Sequence, residues 1–281
     1  MSDIHSSNLD KSYIEYHPDT WDEIKNFQSL LSEWIFRGQA CSSWSITNSL
    51  ERTRKRVAPT LTNSQLEKNI VSRFKRGAHL VSSYTPNLDN SLEWLALIQH
   101  YGGPTRLLDF TRSFYIAAFF AVETADSDAA IWCLNPRILK KSSEVANLNL
   151  NQNTLKSEEV YNHLIDDEEN LQAVIDVEPF FLNERLIRQQ GLFVMPCSLN
   201  VDFETCLFGS LAGPTSKLTR ADIDRVQLEL GTFYENAAII KIIIPKIIHS
   251  DIRRDLARMN VDAANLFPGI DGFARSLNFS F

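Results

Sequence analysis

The chain has 281 residues, of which 44% are hydrophobic, and it contains ten glycines and ten prolines. This composition excludes disordered, collagen-like and low-complexity proteins, so a hydrophobic core is expected. The 28 lysines and arginines against 35 aspartates and glutamates give a net charge of −7, which argues against a protein that coats nucleic acid or an acidic membrane with its whole surface.

Two helices and a strand are predicted in the N-terminal part of the chain. A capping-box pattern that starts at Thr20 opens an amphipathic helix ending near residue 32 or 33. The bulky run 34–36 then favours a short strand, which places Arg37-Gly38-Gln39 at its end. A second capping-box pattern at 64–67 predicts another helix, whose lysines and arginines should face solvent.

The next two predicted helices differ in their surroundings. The first, at 91–101, is stopped by Gly102-Gly103-Pro104, a glycine C-cap followed by a proline that cannot continue the helix. The second, at 114–123, can be capped by Thr111 or Ser113. It is apolar nearly all round and therefore belongs at the centre of the fold. A strand at 129–134 follows it.

The C-terminal half begins with a polar segment, 140–170, which is rich in Asn, Ser and Glu. We interpret it as a surface insertion, because core-type elements resume after it. The strand at 237–244 is an Ile-rich run of the kind that is buried on both faces. The other elements predicted here are strands at 171–177 and 192–195, helices at 180–190 and 247–259, and a turn with a last short helix at 266–277.

The order of these elements indicates the fold class. Strands and helices are mixed without a regular βαβ alternation, which favours an α+β fold over a doubly wound sheet. We expect a mixed, mostly antiparallel sheet with helices packed around it.

Targeting signals and cysteine spacing predict the compartment. The N-terminus lacks the basic start and apolar run of a secretory signal, and the apolar runs are too short to span a bilayer. The four cysteines form no CxxC pair and have no histidine at metal-ligand spacing. We therefore expect a cytoplasmic protein with reduced thiols, no metal and no membrane partner.

The net charge is a sum of two opposed segments. Residues 52–76 contain eight basic residues and the single acid Glu67, whereas residues 158–178 contain eight acids and no lysine or arginine. Either segment can be a plain solvated surface. The basic one can also receive a phosphate-bearing ligand, a nucleic acid or a protein.

Missing motifs exclude several enzyme classes. The sequence has no GxGxxG, GxxxxGK[ST], HExxH or GxSxG pattern, which argues against Rossmann dehydrogenases, P-loop NTPases, zinc proteases and α/β-hydrolases. A metal-dependent nuclease using Asp109 and Glu184 is a further alternative, but the usual paired acidic motif is missing.

The tetrapeptide Phe36-Arg37-Gly38-Gln39 is the first candidate site. An arginine beside a residue without a side chain offers a planar guanidinium next to accessible backbone, which suits a phosphate or a carboxylate. The alternative is a structural arginine that is salt-bridged at the end of a strand.

The stretch 99–111 is the second candidate site. It places His100, Arg106 and Asp109 around a helix end and ahead of a buried helix, whose first N–H groups can receive an anion. Asp109 can orient Arg106 or a substrate hydroxyl. In the alternative interpretation, Asp109 or Thr111 caps the helix and Arg106 is its ion-pair partner.

The third candidate lies on the helix predicted at 180–190. Arg185, Arg188 and Gln189 are three and four residues apart and share one face of that helix. The alternative is an i,i+4 ion pair between Glu184 and Arg188 on a surface helix.

Four motifs of the chain form a pattern: Phe36-Arg37-Gly38, the stretch 97–111 followed by 116–121, the segment 185–193, and the segment 266–272. In this order they resemble the FRG domain family, which occurs widely in bacteria and phages. The resemblance extends over residues 21–277 and implies a single domain over residues 1–281, and it implies a shared fold more firmly than a reaction. The acidic segment 140–170 has no counterpart in it.

A second resemblance suggests a reaction. Arg37 and Gly38 at a strand end are similar to the NAD-binding arginine strand of the Arg-Ser-Glu class of ADP-ribosyltransferases. In that class the arginine holds a phosphate of NAD, a hydroxyl residue supports the nicotinamide pocket, and a glutamate stabilises the oxocarbenium-like transition state. The resemblance implies Thr111 as the hydroxyl residue and Glu184 or Glu178 as the acid, although the chain lacks the ExE or QxE pair.

Two functions follow as hypotheses. The first is an ADP-ribosyltransferase-like enzyme that uses NAD to modify a macromolecule, as a toxin or phage-defence effector. Its catalytic residues would be Arg37, Thr111 and Glu184. The second is a non-catalytic module that binds a nucleotide or another phosphate-bearing ligand, as a sensor. The residues expected to bind the ligand are Arg37, Gly38, Gln39, His100, Tyr101, Arg106, Asp109, Arg188 and Gln189.

Overall fold

A computed structural model describes residues 13–82, 84–137, 165, 173–180, 183–210, 217–218 and 239–279. The expected insertion at 140–170 lies outside these residues apart from Ile165. The described strands are β1 (Ile14–Tyr16), β2 (Ile35–Gln39), β3 (Leu108–Thr111), β4 (Ala129–Leu134), β5 (Val174–Val177), β6 (Gly191–Pro196), β7 (Lys217–Leu218) and β8 (Ile239–Ile244).

Helices surround these strands. None of those in the described ranges combines the length and apolarity that a membrane crossing requires. The described α-helices are α1 (Trp21–Gln28), α2 (Ser49–Val57), α3 (Asn63–Ala78), α4 (Ser91–His100), α5 (Phe114–Val122), α6 (Glu184–Arg188), α7 (Phe203–Ser210), α8 (His249–Arg258), α9 (Ala263–Leu266) and α10 (Ile270–Ser276).

The strands form one sheet in the order β5-β6-β3-β2-β4-β8-β1-β7. Neighbours from β5 through β8 pair antiparallel, whereas β1 pairs parallel with both β8 and β7. The α+β prediction, with a mixed and mostly antiparallel sheet, is confirmed. β8 is buried along nearly its whole length, as its sequence predicts, and Lys241 within it donates to the carbonyl of Ser42 at 2.6 Å.

Side chains from the two faces of the sheet enter different hydrophobic clusters. In β2, Phe36 packs with α1, α5 and α8, while its neighbour Ile35 packs with α7 on the other face. In β6, Leu192 belongs to the α7 face, while Phe193 packs with α4 and α6. Because side chains alternate along a strand, α5 and α4 lie over the same face of the sheet, each above a different part.

Gly38 sets how closely α5 approaches β2. A Cβ atom built on Gly38 would lie 2.0 Å from the carbonyl oxygen of Ala117 and 2.5 Å from the backbone nitrogen of Ala121. The helix therefore packs its own backbone onto the strand, which a side chain at position 38 would prevent.

Some helix ends differ from the predicted ones. Thr20 caps α1 as predicted, accepting from the backbone N–H of Glu23 at 3.2 Å, but the helix ends at Gln28. The capping box of α3 is formed by Thr62 and Gln65, two residues before the predicted one. With the helix starting there, the side chain of Glu67 points into the protein interior and pairs with the buried Arg106. Helix α2 was not predicted.

Glu51, on α2, is a buried carboxylate with one unsatisfied oxygen. Its Oε1 accepts from the backbone N–H of Phe203 at 2.7 Å and from Asn48 Nδ2 at 2.9 Å, while Oε2 has no hydrogen-bond partner among the described residues. Burial raises the pKa of Glu51 to about 7. Between the ordinary pKa of a glutamate and about pH 7, Glu51 therefore keeps its proton in the folded protein but has released it in the unfolded chain.

We expect Gly38→Ala to destabilise the fold by about 3 kcal/mol or more, because the added methyl meets helix backbone that cannot move alone. Gly77→Ala is the matched control, since nothing lies within 4 Å of a Cβ at that position of α3. The control should stabilise by about 0.5–1 kcal/mol. Urea unfolding of both variants checks this, and a Gly38→Ala protein as stable as the wild type would contradict the packing argument.

We expect the free energy of unfolding to fall as the pH rises from about 5 to 8, by up to about 3 kcal/mol from Glu51 alone. Glu51→Gln carries no charge at either pH and should lose this part of the decrease. Urea unfolding at both pH values measures the difference. Parallel pH profiles of the wild type and the variant would show that Glu51 titrates normally.

Candidate functional site

A cleft of about 290 Å³ opens at the junction of β2 and β3, and we call it the Arg37 cleft. Asp109 alternates along β3 with residues of the α7 face, so it belongs to the face that carries α5 and α4. The cleft is lined by Phe36, Arg37, Gly38, Asp109, Phe110, Thr111, Phe120, Arg185, Gln189, Phe267 and Arg275.

The cleft exists because β2 and β3 separate. β2 pairs with β4 along its whole length, but it pairs with β3 only where Phe36 faces Thr111. Continuing that register would place Gly38 opposite Asp109, and no pair forms there. Instead, Arg37 Nη1 donates to the backbone carbonyl of Asp109 at 2.8 Å. A side chain thus bridges the gap that a backbone hydrogen bond would otherwise close.

Arg37 is partly buried and has a second cation nearby. Burial lowers the pKa of Arg37, the carboxylate of Asp109 opposes this effect, and Arg52 adds to it. The guanidinium remains charged, as arginine does in proteins. Because it is incompletely compensated, it would gain from an anion bound in the cleft.

An aromatic ring and two more arginines form another part of the cleft wall. The guanidinium carbon of Arg275 lies 4.2 Å from the ring centroid of Phe267, and that of Arg185 lies 4.9 Å from it. Cations at these distances are attracted to the face of an aromatic ring. Arg275 is also ion-paired with the buried carboxylate of Glu123 at the end of α5, which fixes this wall to the core.

Thr111 and Gln189 hold the floor of the cleft together. The Thr111 hydroxyl donates to the backbone carbonyl of Gln189 at 2.7 Å and accepts from the N–H of Ser113 at 3.0 Å. The Gln189 amide donates to the carbonyl of Leu266 at 3.2 Å. Ser113, one of the two predicted caps, is the N-cap of α5. The Thr111 hydroxyl therefore lines the cleft and also makes a structural hydrogen bond to Gln189.

Arg106 lies outside the cleft. It is buried, and its guanidinium forms an ion pair with Glu67 of α3, with Nε 2.8 Å from Oε2. Its Nη2 also donates to the carbonyl of Ile165 at 3.3 Å. Removing one partner of such a buried pair leaves an uncompensated charge, so Arg106 acts by joining α3 to the start of β3. The structure does not bring it together with Arg37.

The two candidate acids also lie outside the cleft. Glu184 forms the i,i+4 ion pair with Arg188 that the sequence offered as an alternative, and both side chains are largely exposed. Glu178 pairs with Arg112. On α6 it is Arg185, rather than Arg188, that shares the cleft with Gln189, because Arg188 turns toward the carbonyl of Asn265.

Gln39, His100 and Tyr101 are not among the lining residues. The amide of Gln39 donates to the carbonyls of Trp44 and Ser45 and accepts from Trp132 Nε1 at 2.6 Å. Gln39 therefore has a structural role, because it joins the end of β2 to the loop at 44–45 and to Trp132 of β4. Burial and the nearby Arg185 lower the pKa of His100. The residues predicted for the site that do line the cleft are Arg37, Gly38, Asp109, Thr111 and Gln189.

Sequence reasoning missed Phe120, Phe267 and Arg275. Phe267 belongs to the segment 266–272, one of the four motifs given above; its ring is buried and also forms part of the cleft wall. Arg275 carries no motif. Among the described residues, no group of three or more His, Cys, Asp or Glu side chains is placed to hold a metal ion.

Fold and site together define an α+β domain with an arginine-lined cleft at a strand junction. Residues 32–130 match the family model of the FRG domain, so the chain contains an FRG domain. The match includes the Phe36-Arg37-Gly38 tripeptide and the β3 wall, whereas Arg185, Phe267 and Arg275 lie beyond it. The curated proteins and the solved structures that were compared contain no match to the chain.

Proposed function

We propose that the protein binds a nucleotide or a related phosphate-bearing ligand in the Arg37 cleft. The observation that carries this proposal is the guanidinium of Arg37 at the point where two strands separate beside a glycine. Arginine is suited to bidentate contacts with phosphate oxygens. The volume, about 290 Å³, is near the lower end of the range for small-molecule sites.

The charge balance of the cleft supports an anionic ligand. Arg37, Arg185 and Arg275 line it, and Asp109 is the carboxylate among the described lining residues. Since Glu123 already neutralises Arg275, the remaining excess of positive charge comes from Arg37 and Arg185. The buried ring of Phe267 contacts both Arg275 and Arg185, so these two guanidinium groups are held in the wall of the cleft before a ligand binds.

We expect Arg37→Ala to weaken ligand binding at least tenfold, because a hydrogen bond to a charged group contributes about 1.5–3 kcal/mol. Calorimetry against ADP, ADP-ribose, NAD and inorganic phosphate measures this. Arg254→Ala is the matched control, since that arginine is exposed on α8 and pairs with Asp251. Arg185→Ala, which leaves the β2–β3 junction intact, should also weaken binding. Unchanged affinity in both cleft variants would refute the proposal.

A second candidate function is transfer of ADP-ribose from NAD to a macromolecule, which would also suit a toxin or phage-defence effector. The observation that favours it is the carboxylate of Asp109, which lines the cleft together with Arg37. Asp109 is exposed and held by Gln99 Nε2 at 3.0 Å. A carboxylate beside the ribose can stabilise an oxocarbenium-like transition state as nicotinamide leaves. In this hypothesis Asp109 takes the role for which Glu184 and Glu178 are badly placed.

We expect Asp109→Asn to reduce nicotinamide release from NAD by about a hundredfold or more while NAD still binds, since the amide keeps the contact to Gln99 but not the charge. Glu184→Gln and Glu178→Gln are the controls and should retain activity. Labelled NAD with cell extract follows the transfer. A wild-type protein that binds NAD but releases no nicotinamide would be a non-catalytic binding module.

A further inference from the structure

Helices α2 and α3 form a hairpin, Ser49–Ala78, with an unusual charge distribution that we call the basic hairpin. Both of its carboxylates are buried: Glu51 is 2% exposed and Glu67 is 4% exposed. Glu51 bonds to the N-terminal turn of α7, and Glu67 pairs with Arg106. Neither acid contributes to the outer surface of the hairpin.

The exposed charges of the hairpin are therefore all positive. Two of its eight basic side chains are partly buried: Arg54 donates to Asn63 Oδ1 and Lys75 donates to the carbonyl of Leu88. The uncharged residues between the cations include Gln65, Asn69 and Ser72, which are exposed and can donate hydrogen bonds. The exposed cations are Arg52, Lys55, Arg56, Lys68, Arg73 and Arg76.

This surface adjoins the Arg37 cleft. The first turn of α2 is tied to Thr105, just before β3, through Leu50 N–H to the Thr105 carbonyl at 3.0 Å and Thr105 N–H to Ser49 Oγ at 3.0 Å. β3 then carries Asp109 into the cleft wall four residues later. Arg52, on the same turn of α2, is close enough to act on the charges of both Arg37 and Asp109.

The composition of the surface indicates its partner. Protein interfaces are enriched in aromatic side chains and have an apolar centre, whereas nucleic-acid interfaces are dominated by cations that contact phosphates. Among the described residues of the hairpin, Val57 is the one large apolar side chain that is exposed, and no aromatic side chain is exposed there. A repeating line of phosphates matches this surface better than an acidic protein does.

We propose that the basic hairpin binds the sugar-phosphate backbone of a nucleic acid and holds it beside the Arg37 cleft. The proposal that the hairpin binds nucleic acid is argued from the residues of the hairpin and does not depend on the function of the cleft. That the nucleic acid is the macromolecular partner of the cleft rests on the function proposed above. The acidic net charge of the chain would confine this contact to one face.

Fluorescence anisotropy with labelled single-stranded RNA or DNA of about 20 nucleotides tests the proposal. We expect the wild type to bind and Lys55→Glu/Arg56→Glu to weaken binding at least tenfold, with a salt dependence that is shallower by about one to two in log-log slope. Arg254→Glu/Arg258→Glu on α8 makes the same change in net charge at another exposed site and should have little effect, because physiological salt screens charges beyond about 8 Å.

Three outcomes would overturn the proposal: no nucleic-acid binding by the wild type, an equal loss in both double variants, or stronger competition by poly-glutamate than by nucleic acid, which would indicate an acidic protein instead. Thermal unfolding confirms that each variant is folded. Binding of ADP or NAD by Lys55→Glu/Arg56→Glu reports on the cleft separately. Failure of the hairpin and failure of the cleft are therefore distinguishable.

Discussion

The contact between the backbone of α5 and Gly38 is the constraint on which the rest of the structure depends. It brings an apolar helix directly onto β2, with Phe36 packed against Phe114 on the same side. Arg37 lies between Phe36 and Gly38 in the chain. It is therefore available at the strand junction, where it bridges to β3. The Phe-Arg-Gly tripeptide thus combines a core anchor, a guanidinium that lines the cleft and a site of close helix approach in three consecutive residues.

The cleft depends on charges that are distributed over distant parts of the chain. Glu123 at the end of α5 holds Arg275, Arg275 and Arg185 contact Phe267, and Gln189 bonds both β3 and α9. A buried acid is paired with an arginine outside the cleft as well. By pairing Glu67 with Arg106 in the interior, the fold removes an acid from the basic hairpin and leaves its surface cationic beside the cleft.

Local patterns predicted most of the described elements. The apolar run in α5, the glycine stop after α4 and the Ile-rich β8 are recognisable because each reflects backbone preference or burial over a few neighbouring residues. Helix ends were predicted less well. α3 begins two residues before the sequence suggests, because Glu67 is needed inside the protein to neutralise Arg106, and no local rule contains that long-range pair.

The sequence by itself determined the fold class and the opposed charge segments, and it singled out Arg37, Gly38 and Asp109, which line the cleft. An arginine beside a glycine at a strand end pairs an anion-binding group with open backbone. Only the tertiary structure decided which arginines face the cleft. Arg106 and Arg188 are as suitable in the sequence as Arg37, but burial commits one to Glu67, and the turn of a short helix directs the other toward Asn265. Phe267 and Arg275 reach the cleft from the far end of the chain, and local spacing carries no information about such a contact.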